Sequence, residues 1–136
     1  MTKLTKCLLQ KDSSCVPVWF MRQAGRYLPE FRKIRSQNNN FIKLCLDSDL
    51  SSEITLQPIK RFDLDAAIIF SDILMIPYGL GQEVTFKRNM GPKLSLFNLE
   101  FFLNNKESNF IQKLNPVYEA IKKTRDKLNK NKSLIS

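Results

Sequence analysis

The order of the predicted elements places this chain in the α/β class. Short apolar runs at residues 17–21 and 65–70 alternate with segments of helical periodicity, and a further run begins at Ser133. Continuous apolar runs of this length are typical of strands that are covered on both faces. Strands that alternate with helices pair in parallel through right-handed crossovers. The sequence therefore predicts a parallel sheet with helices packed against it.

The first half of the chain supplies the first strand and the helices that follow it. Pro17 suits the start of a strand, where a missing N–H is tolerated. Pro29 fits the first turn of a helix, because its fixed φ angle is helical and no N–H is needed there. Pro58 is expected to kink or shorten the last helix of this half. The helices expected here are 29–35, 41–46 and 49–62.

The second half of the chain is less regular until its last helix. Ser71 and Asp72 follow the second strand and lead into a turn-rich segment. From Pro116 to Leu128, apolar residues recur at helical spacing with lysines between them, which predicts an amphipathic helix. Residues 97–109 show no clear period. The other expected elements are an extended piece at 84–86, a loop with Gly91 and Pro92, and a strand starting at Ser133.

Composition excludes several kinds of chemistry. The chain has 136 residues, which suits one domain, and it contains no histidine. Imidazole catalysis and the most common metal ligand are therefore excluded, and we expect no metal site. The chain has four glycines and lacks the glycine-rich pattern of a phosphate-binding loop. Its three cysteines lack CxxC spacing, so neither a disulfide framework nor a zinc site is predicted.

The same features indicate a cytoplasmic location. No apolar stretch approaches the ~20 residues that a membrane-spanning helix needs. The N-terminal residues have too short an apolar centre for a secretory signal. We therefore expect a cytoplasmic protein with no membrane partner, in which Cys7, Cys15 and Cys45 are reduced.

The formal net charge of +9 has more than one explanation. A basic chain can bind nucleic acid, a membrane surface or an anionic small molecule. Much of the excess lies on the predicted helix at 116–128, whose lysines form a solvated face. Aromatic residues do not alternate with these lysines, as a base-stacking surface requires. We therefore expect no nucleic-acid partner.

Two arginines directly follow the first apolar run. Arg22 and Arg26 are separated by Gln23, Ala24 and Gly25, a spacer with little side-chain bulk. Guanidinium groups present a planar fork of donors that suits carboxylate or phosphate. Two of them at the end of a strand predict an anion site. The alternative is a pair of surface arginines that flank a turn.

Asp72 lies just beyond the second strand, at the same end of the predicted sheet as the arginines. Active groups of parallel α/β folds gather beyond the carboxyl ends of the strands. Asp72 is therefore a candidate for the site. The alternative is that Asp72 caps the N-terminus of a helix starting at Ile73, a role that Ser71 could fill equally well.

Two stretches resemble one enzyme family. Residues 17–35 read PVWFMRQAGRYLPEFRKIR, and residues 69–74 read IFSDIL. Both resemble signatures of the uroporphyrinogen decarboxylase family, and residues 55–58 and 61–62 are similar to the family pattern between them. The resemblance implies decarboxylation of the acetate side chains of uroporphyrinogen III to coproporphyrinogen III in haem biosynthesis, without a cofactor.

The resemblance also implies roles for particular residues. Asp72 would be the central catalytic group, and Arg22 would bind substrate and assist proton delivery. Arg22 and Arg26 would clamp substrate carboxylates, while Gln23, Ala24 and Gly25 would approach the substrate through their backbone. Asp72 would also bind the substrate by accepting hydrogen bonds from the pyrrole N–H groups of the substrate.

The family fold is a (β/α)8 barrel, which needs ~250 residues. We therefore expect residues 1–136 to form the N-terminal part of a barrel domain, with about three of the eight strands. Such a chain would belong to a split or prematurely terminated gene. It would need a second chain carrying the remaining strands, and a complete enzyme would be a homodimer. Two alternatives are an inactive remnant and a small basic binding protein.

Overall fold

The computed structural model describes residues 1–21, 23–87 and 91–136. These residues form short strands surrounded by helices, which confirms the α/β class. The helices are α1 (Lys3–Gln10), α2 (Pro29–Gln37), α3 (Phe41–Cys45), α4 (Ser48–Arg61), α5 (Met75–Gly79), α6 (Leu99–Asn104) and α7 (Glu107–Lys127). The strands are β1 (Ala66–Ile68), β2 (Val84–Lys87), β3 (Gly91–Leu94) and β4 (Ser133–Ile135).

Strands β1 and β4 form the parallel pair that the sequence predicts. Their register places Ala67 opposite Leu134. Helices α4 and α7 pack against each other, and α4 also contacts β1. Leu56 and Leu128 bury their side chains against Ala67. Residues from both long helices therefore cover the apolar β1 strand.

The predicted first strand at residues 17–21 is wrong. Its only backbone hydrogen bond to the region of β1 among the described residues joins the Asp65 N–H to the Val18 carbonyl at 2.8 Å. Val18 is 45% exposed and Met21 is 77% exposed. The segment cannot extend its pairing along β1, because the side chain of Gln23 occupies that edge. The apolar composition of the segment therefore does not make it a buried strand here.

Several other elements differ from the predicted ones. Helix α1 was missed although Leu4, Cys7 and Leu8 recur at helical spacing in it, because it is only eight residues long and none of its residues is buried. Helix α7 begins at Glu107, well before the expected start, so Pro116 lies inside it. The expected loop at Gly91 is instead strand β3, which pairs antiparallel with β2. Helix α4 continues past Pro58 to Arg61, so that proline does not interrupt it.

Two apolar clusters surround the carboxyl end of β1. The first is formed by buried residues of α2, α3 and α4, and the second joins α3 to α5 and α7. Phe70 packs against both clusters. Its ring lies edge-on to Phe31 and to Phe41, with centroids 5.8 and 6.0 Å apart. Phe70 thereby anchors the segment that leads from β1 to Asp72.

Candidate functional site

Two buried hydroxyl groups of helix α4 hold the chain at Phe70, just beyond β1. The Phe70 N–H donates to Thr55 Oγ1 at 2.8 Å, and Ser51 Oγ donates to the Phe70 carbonyl at 2.6 Å. Thr55 also donates to the carbonyl of Ser51 at 2.7 Å. Because both backbone groups of Phe70 are bonded, the path of the chain toward Asp72 is fixed.

Asp72, two residues after Phe70, forms a turn that leads toward α5. Its Oδ1 accepts a hydrogen bond from the Leu74 N–H at 2.9 Å, and its backbone carbonyl accepts one from the Met75 N–H at 3.0 Å. The side chain is half-buried. Its other oxygen, Oδ2, has no hydrogen-bond partner among the described residues. The turn therefore uses one carboxylate oxygen and leaves the second available to a ligand.

Gln23 is the most buried member of the predicted arginine loop, with 2% of its surface exposed. Its Nε2 donates to the carbonyl of Ala66 at 2.7 Å, and its Oε1 accepts from the N–H of Ile68 at 3.3 Å. The hydroxyl of Tyr27 donates to the Gln23 backbone carbonyl. The side chain of Gln23 is therefore engaged with β1 and does not face a ligand.

The next residues of the loop lie closer to the surface. Ala24 is half-buried and packs against the same cluster as Phe70. The Gly25 carbonyl accepts from the Leu28 N–H at 3.0 Å, which closes a turn. Among the described residues, a side chain at Gly25 would meet only the ring of Tyr27, at ordinary contact distance. Glycine is therefore not required at this position by the packing of the chain itself.

Arg26 is exposed and lines an open groove of about 340 Å³. Arg32 and Arg35 line the same groove. Arg32 Nη1 donates to the Arg26 carbonyl at 3.0 Å, which holds the two residues together. Three guanidinium groups around one groove create a positive potential that suits carboxylates. The groove beside Arg26 therefore has two arginines that the spacing of the loop did not suggest.

The thiol of Cys45 connects this groove electrostatically with Asp72. The pKa of Cys45 is raised to about 12, mainly by burial and to a smaller extent by the negative charge of Asp72, while the positive charge of Arg35 opposes the rise. Asp72 and Arg35 are thus both near one buried side chain. No hydrogen bond or ion pair joins Asp72 to residues 23–26 in the part of the chain that the structure describes.

Arg22, the predicted catalytic and substrate-binding arginine, lies outside the described residues. Within the ranges 1–21, 23–87 and 91–136, no group of three or more acidic, cysteine or histidine side chains is arranged to hold a metal ion. No helix in those ranges is long and apolar enough to span a bilayer.

Sequence reasoning missed two sets of residues. Ser51 and Thr55 hydrogen-bond the backbone of Phe70, just beyond β1. The sequence pattern that could have revealed them is a pair of hydroxyl residues one helical turn apart on a buried helix face. Arg32 and Arg35 were assigned only to helix α2. Their signal is that they lie three residues apart and therefore share a face of that helix.

Comparison with known proteins adds a family relationship. A family model described as uroporphyrinogen decarboxylase (URO-D) matches residues 1–136. A protein of Rickettsia felis named uroporphyrinogen decarboxylase is 51% identical over 127 residues, which are 93% of this chain and 37% of that protein. A protein of the same name from Rickettsia canadensis is 50% identical over 127 residues, covering 93% of this chain and 38% of its own length. The chain thus spans little more than a third of these relatives.

Proposed function

The chain belongs to the uroporphyrinogen decarboxylase family, and we propose that it supplies one wall of a site that decarboxylates the acetate side chains of uroporphyrinogen III to give coproporphyrinogen III. The observation that carries the proposal is the position of Asp72. Its carboxylate lies beyond the carboxyl end of a parallel strand, with Oδ2 unpartnered among the described residues. That end of a parallel sheet is where α/β enzymes place their active groups.

The arginines provide the means to recognise this substrate. Uroporphyrinogen carries eight carboxylates on a flexible ring of four pyrroles. Arg26 opens onto a groove shared with Arg32 and Arg35, and a guanidinium group binds a carboxylate through two parallel hydrogen bonds. Arg22 would act with Arg26 in clamping the carboxylates and would assist proton delivery. Gln23, Ala24 and Gly25 would approach the substrate through the loop backbone.

Asp72 would stabilise the charge that develops during the reaction. Protonation of a pyrrole carbon gives a cationic ring. The bond between the acetate methylene and its carboxyl group then breaks, the electron pair of that bond passes into the ring, and carbon dioxide leaves. A proton adds to the resulting exocyclic methylene to give a methyl group, and the pyrrole carbon releases the proton that it first accepted. Asp72 would accept hydrogen bonds from pyrrole N–H groups and stabilise the positive charge, an electrostatic effect that often dominates catalysis. Because the ring is the electron sink, the reaction needs neither a metal ion nor an organic cofactor.

The rest of the site would come from residues outside this sequence. The family fold is a (β/α)8 barrel of ~250 residues, and this chain contributes the β1–β4 pair. We propose that residues 1–136 act as one part of such a barrel domain in the cytoplasm. The remaining strands would lie in a second chain or further along the same polypeptide, and the complete enzyme would be a homodimer.

The proposal is tested by joining residues 1–136 to the remaining part of the Rickettsia felis relative and measuring coproporphyrinogen formation. We expect the joined protein to turn over uroporphyrinogen and the 136-residue chain alone to be inactive. Without the opposite wall, water would reach the substrate and weaken the interaction with Asp72. A correctly folded joined protein with no activity would refute the proposed function. Turnover by the 136-residue chain alone would refute the need for further strands.

A further inference from the structure

We propose that Gln23 is a positioning residue whose side-chain amide fixes the arginine loop against the strand that leads to Asp72. The inference rests on the proposed function, because it concerns the same site. It assigns to Gln23 a role through its side chain, in addition to the approach of its backbone to the substrate that the sequence suggested.

The amide of Gln23 reproduces the hydrogen bonds of a neighbouring strand. In a parallel ladder, a residue donates to the carbonyl of one residue and accepts from the N–H two positions further along. Gln23 makes this pair of bonds with its side chain, to the Ala66 carbonyl at 2.7 Å and from the Ile68 N–H at 3.3 Å. It therefore takes the place of a strand residue opposite Ala67.

The edge of β1 needs such a partner. Its other edge is occupied by β4, and the segment at 17–21 reaches only as far as Asp65. Ala66 is fully buried, so its carbonyl would pay a desolvation penalty if it had no partner. Gln23 satisfies this group and at the same time determines how far the loop lies from β1.

The fixed position of Gln23 is transmitted to both sides of the site. On the loop side, Arg26 follows three residues later and opens onto the arginine groove. On the strand side, Asp72 follows four residues after Ile68. The backbone of Gln23 is held as well, because its carbonyl accepts the hydroxyl of Tyr27. The amide thus joins the arginine loop to the strand that leads to Asp72.

Glutamine is suited to this role because it carries one donor and one acceptor side by side. An ionised glutamate at this position would accept from Ile68 but would face the Ala66 carbonyl with a second acceptor. A protonated glutamic acid would again donate to Ala66 and accept from Ile68. The Gln23→Glu variant should therefore depend on pH in a way that the wild-type residue does not.

The test uses residues 1–136 joined to the rest of the Rickettsia felis relative, with Gln23→Glu and Gln23→Leu variants. Relative to wild type, kcat/KM of Gln23→Glu should be near normal at about pH 5 and should fall ~10-fold or more by about pH 8, as the buried carboxyl ionises. Gln23→Leu should be low at every pH. The matched control is Gln57→Glu, because Gln57 is also buried but its amide has no hydrogen-bond partner among the residues that the structure describes.

The thermal stability of the Gln57→Glu protein should fall as pH rises. The kcat/KM of the same protein, measured while it is folded, should keep the pH profile of wild type. A wild-type profile for folded Gln23→Glu would overturn the inference and leave Gln23 with a role in stability alone. Hydrogen exchange of the Ile68 amide provides a second measurement that does not depend on activity. Its protection should fall in Gln23→Leu, and unchanged protection would also overturn the inference. If the joined wild-type protein were inactive, the proposed function would fail and the exchange measurement would still decide whether Gln23 holds β1.

Discussion

Replacing Asp72 by asparagine should separate catalysis from stability. The structure uses Oδ1 of Asp72 to accept from the Leu74 N–H, and an asparagine side chain has an oxygen that forms the same turn. The fold should therefore be retained, while the negative charge available to the substrate is lost. Removing one preorganised electrostatic group commonly lowers turnover ~10²–10³-fold, or about 2.7–4 kcal/mol of transition-state stabilisation.

The alanine variant of Asp72 provides the comparison. It loses both the charge and the turn hydrogen bond, so we expect a similar loss of turnover together with about 0.5–1.5 kcal/mol of stability. The assays are coproporphyrinogen formation and denaturant unfolding of residues 1–136 joined to the rest of the Rickettsia felis relative. Near-normal turnover in Asp72→Asn would refute the catalytic role and leave Asp72 as a turn residue. Equal loss of stability in both variants would refute the role of Oδ1.

Three further predictions concern the same joined protein. Arg26→Lys should raise KM, because lysine keeps the charge but loses the bidentate fork; an unchanged KM would exclude the clamp. Thr55→Val should cost about 1–3 kcal/mol of unfolding free energy, because it leaves the Phe70 N–H without its acceptor, and Thr55→Ser should restore most of it. The pKa of the Asp65 carboxyl is lowered from its ordinary value of 3.8, mainly by the hydrogen bond from the Val18 N–H. The ionised carboxylate therefore stabilises the folded protein above pH 3.8, and this stabilisation is lost as pH falls through the pKa of the folded state. The difference in melting temperature between wild type and Asp65→Asn should accordingly vanish in acid, and a difference independent of pH would contradict this assignment.

The sequence predicted the central strands well because their signal is local. Residues 65–70 are a continuous apolar run, and β1 forms within it and pairs in parallel with β4 at Ser133–Ile135. The start of α2 at Pro29 was also predicted, since proline favours the first turn of a helix. In each case neighbouring residues alone determine the structure.

The prediction of a strand at residues 17–21 was wrong because strand pairing depends on tertiary contacts. The apolar composition of residues 17–21 is that of a strand, but composition does not determine what lies along the edge of β1. That edge is occupied by the side chain of Gln23, a contact over more than 40 residues of chain that no local pattern reveals. The groove lined by Arg26, Arg32 and Arg35 has a local signal, since Arg32 and Arg35 share a face of α2, but the spacing of the loop alone did not bring them together with Arg26.

The predicted cap of a helix starting at Ile73 is not formed, because α5 begins at Met75 with Leu74 as its N-cap residue, and Asp72 instead forms the turn that precedes α5. A carboxylate has two oxygens, and the turn into α5 occupies only Oδ1. The bond to Leu74 restricts rotation of the side chain, so Oδ2 is held in one direction before substrate arrives. Such preorganisation is what makes an electrostatic group effective in catalysis, because no reorganisation is needed during the reaction. The turn hydrogen bond of Asp72 therefore supports its proposed catalytic role. Asparagine keeps the turn hydrogen bond and removes the negative charge, so it is the substitution that distinguishes the two roles.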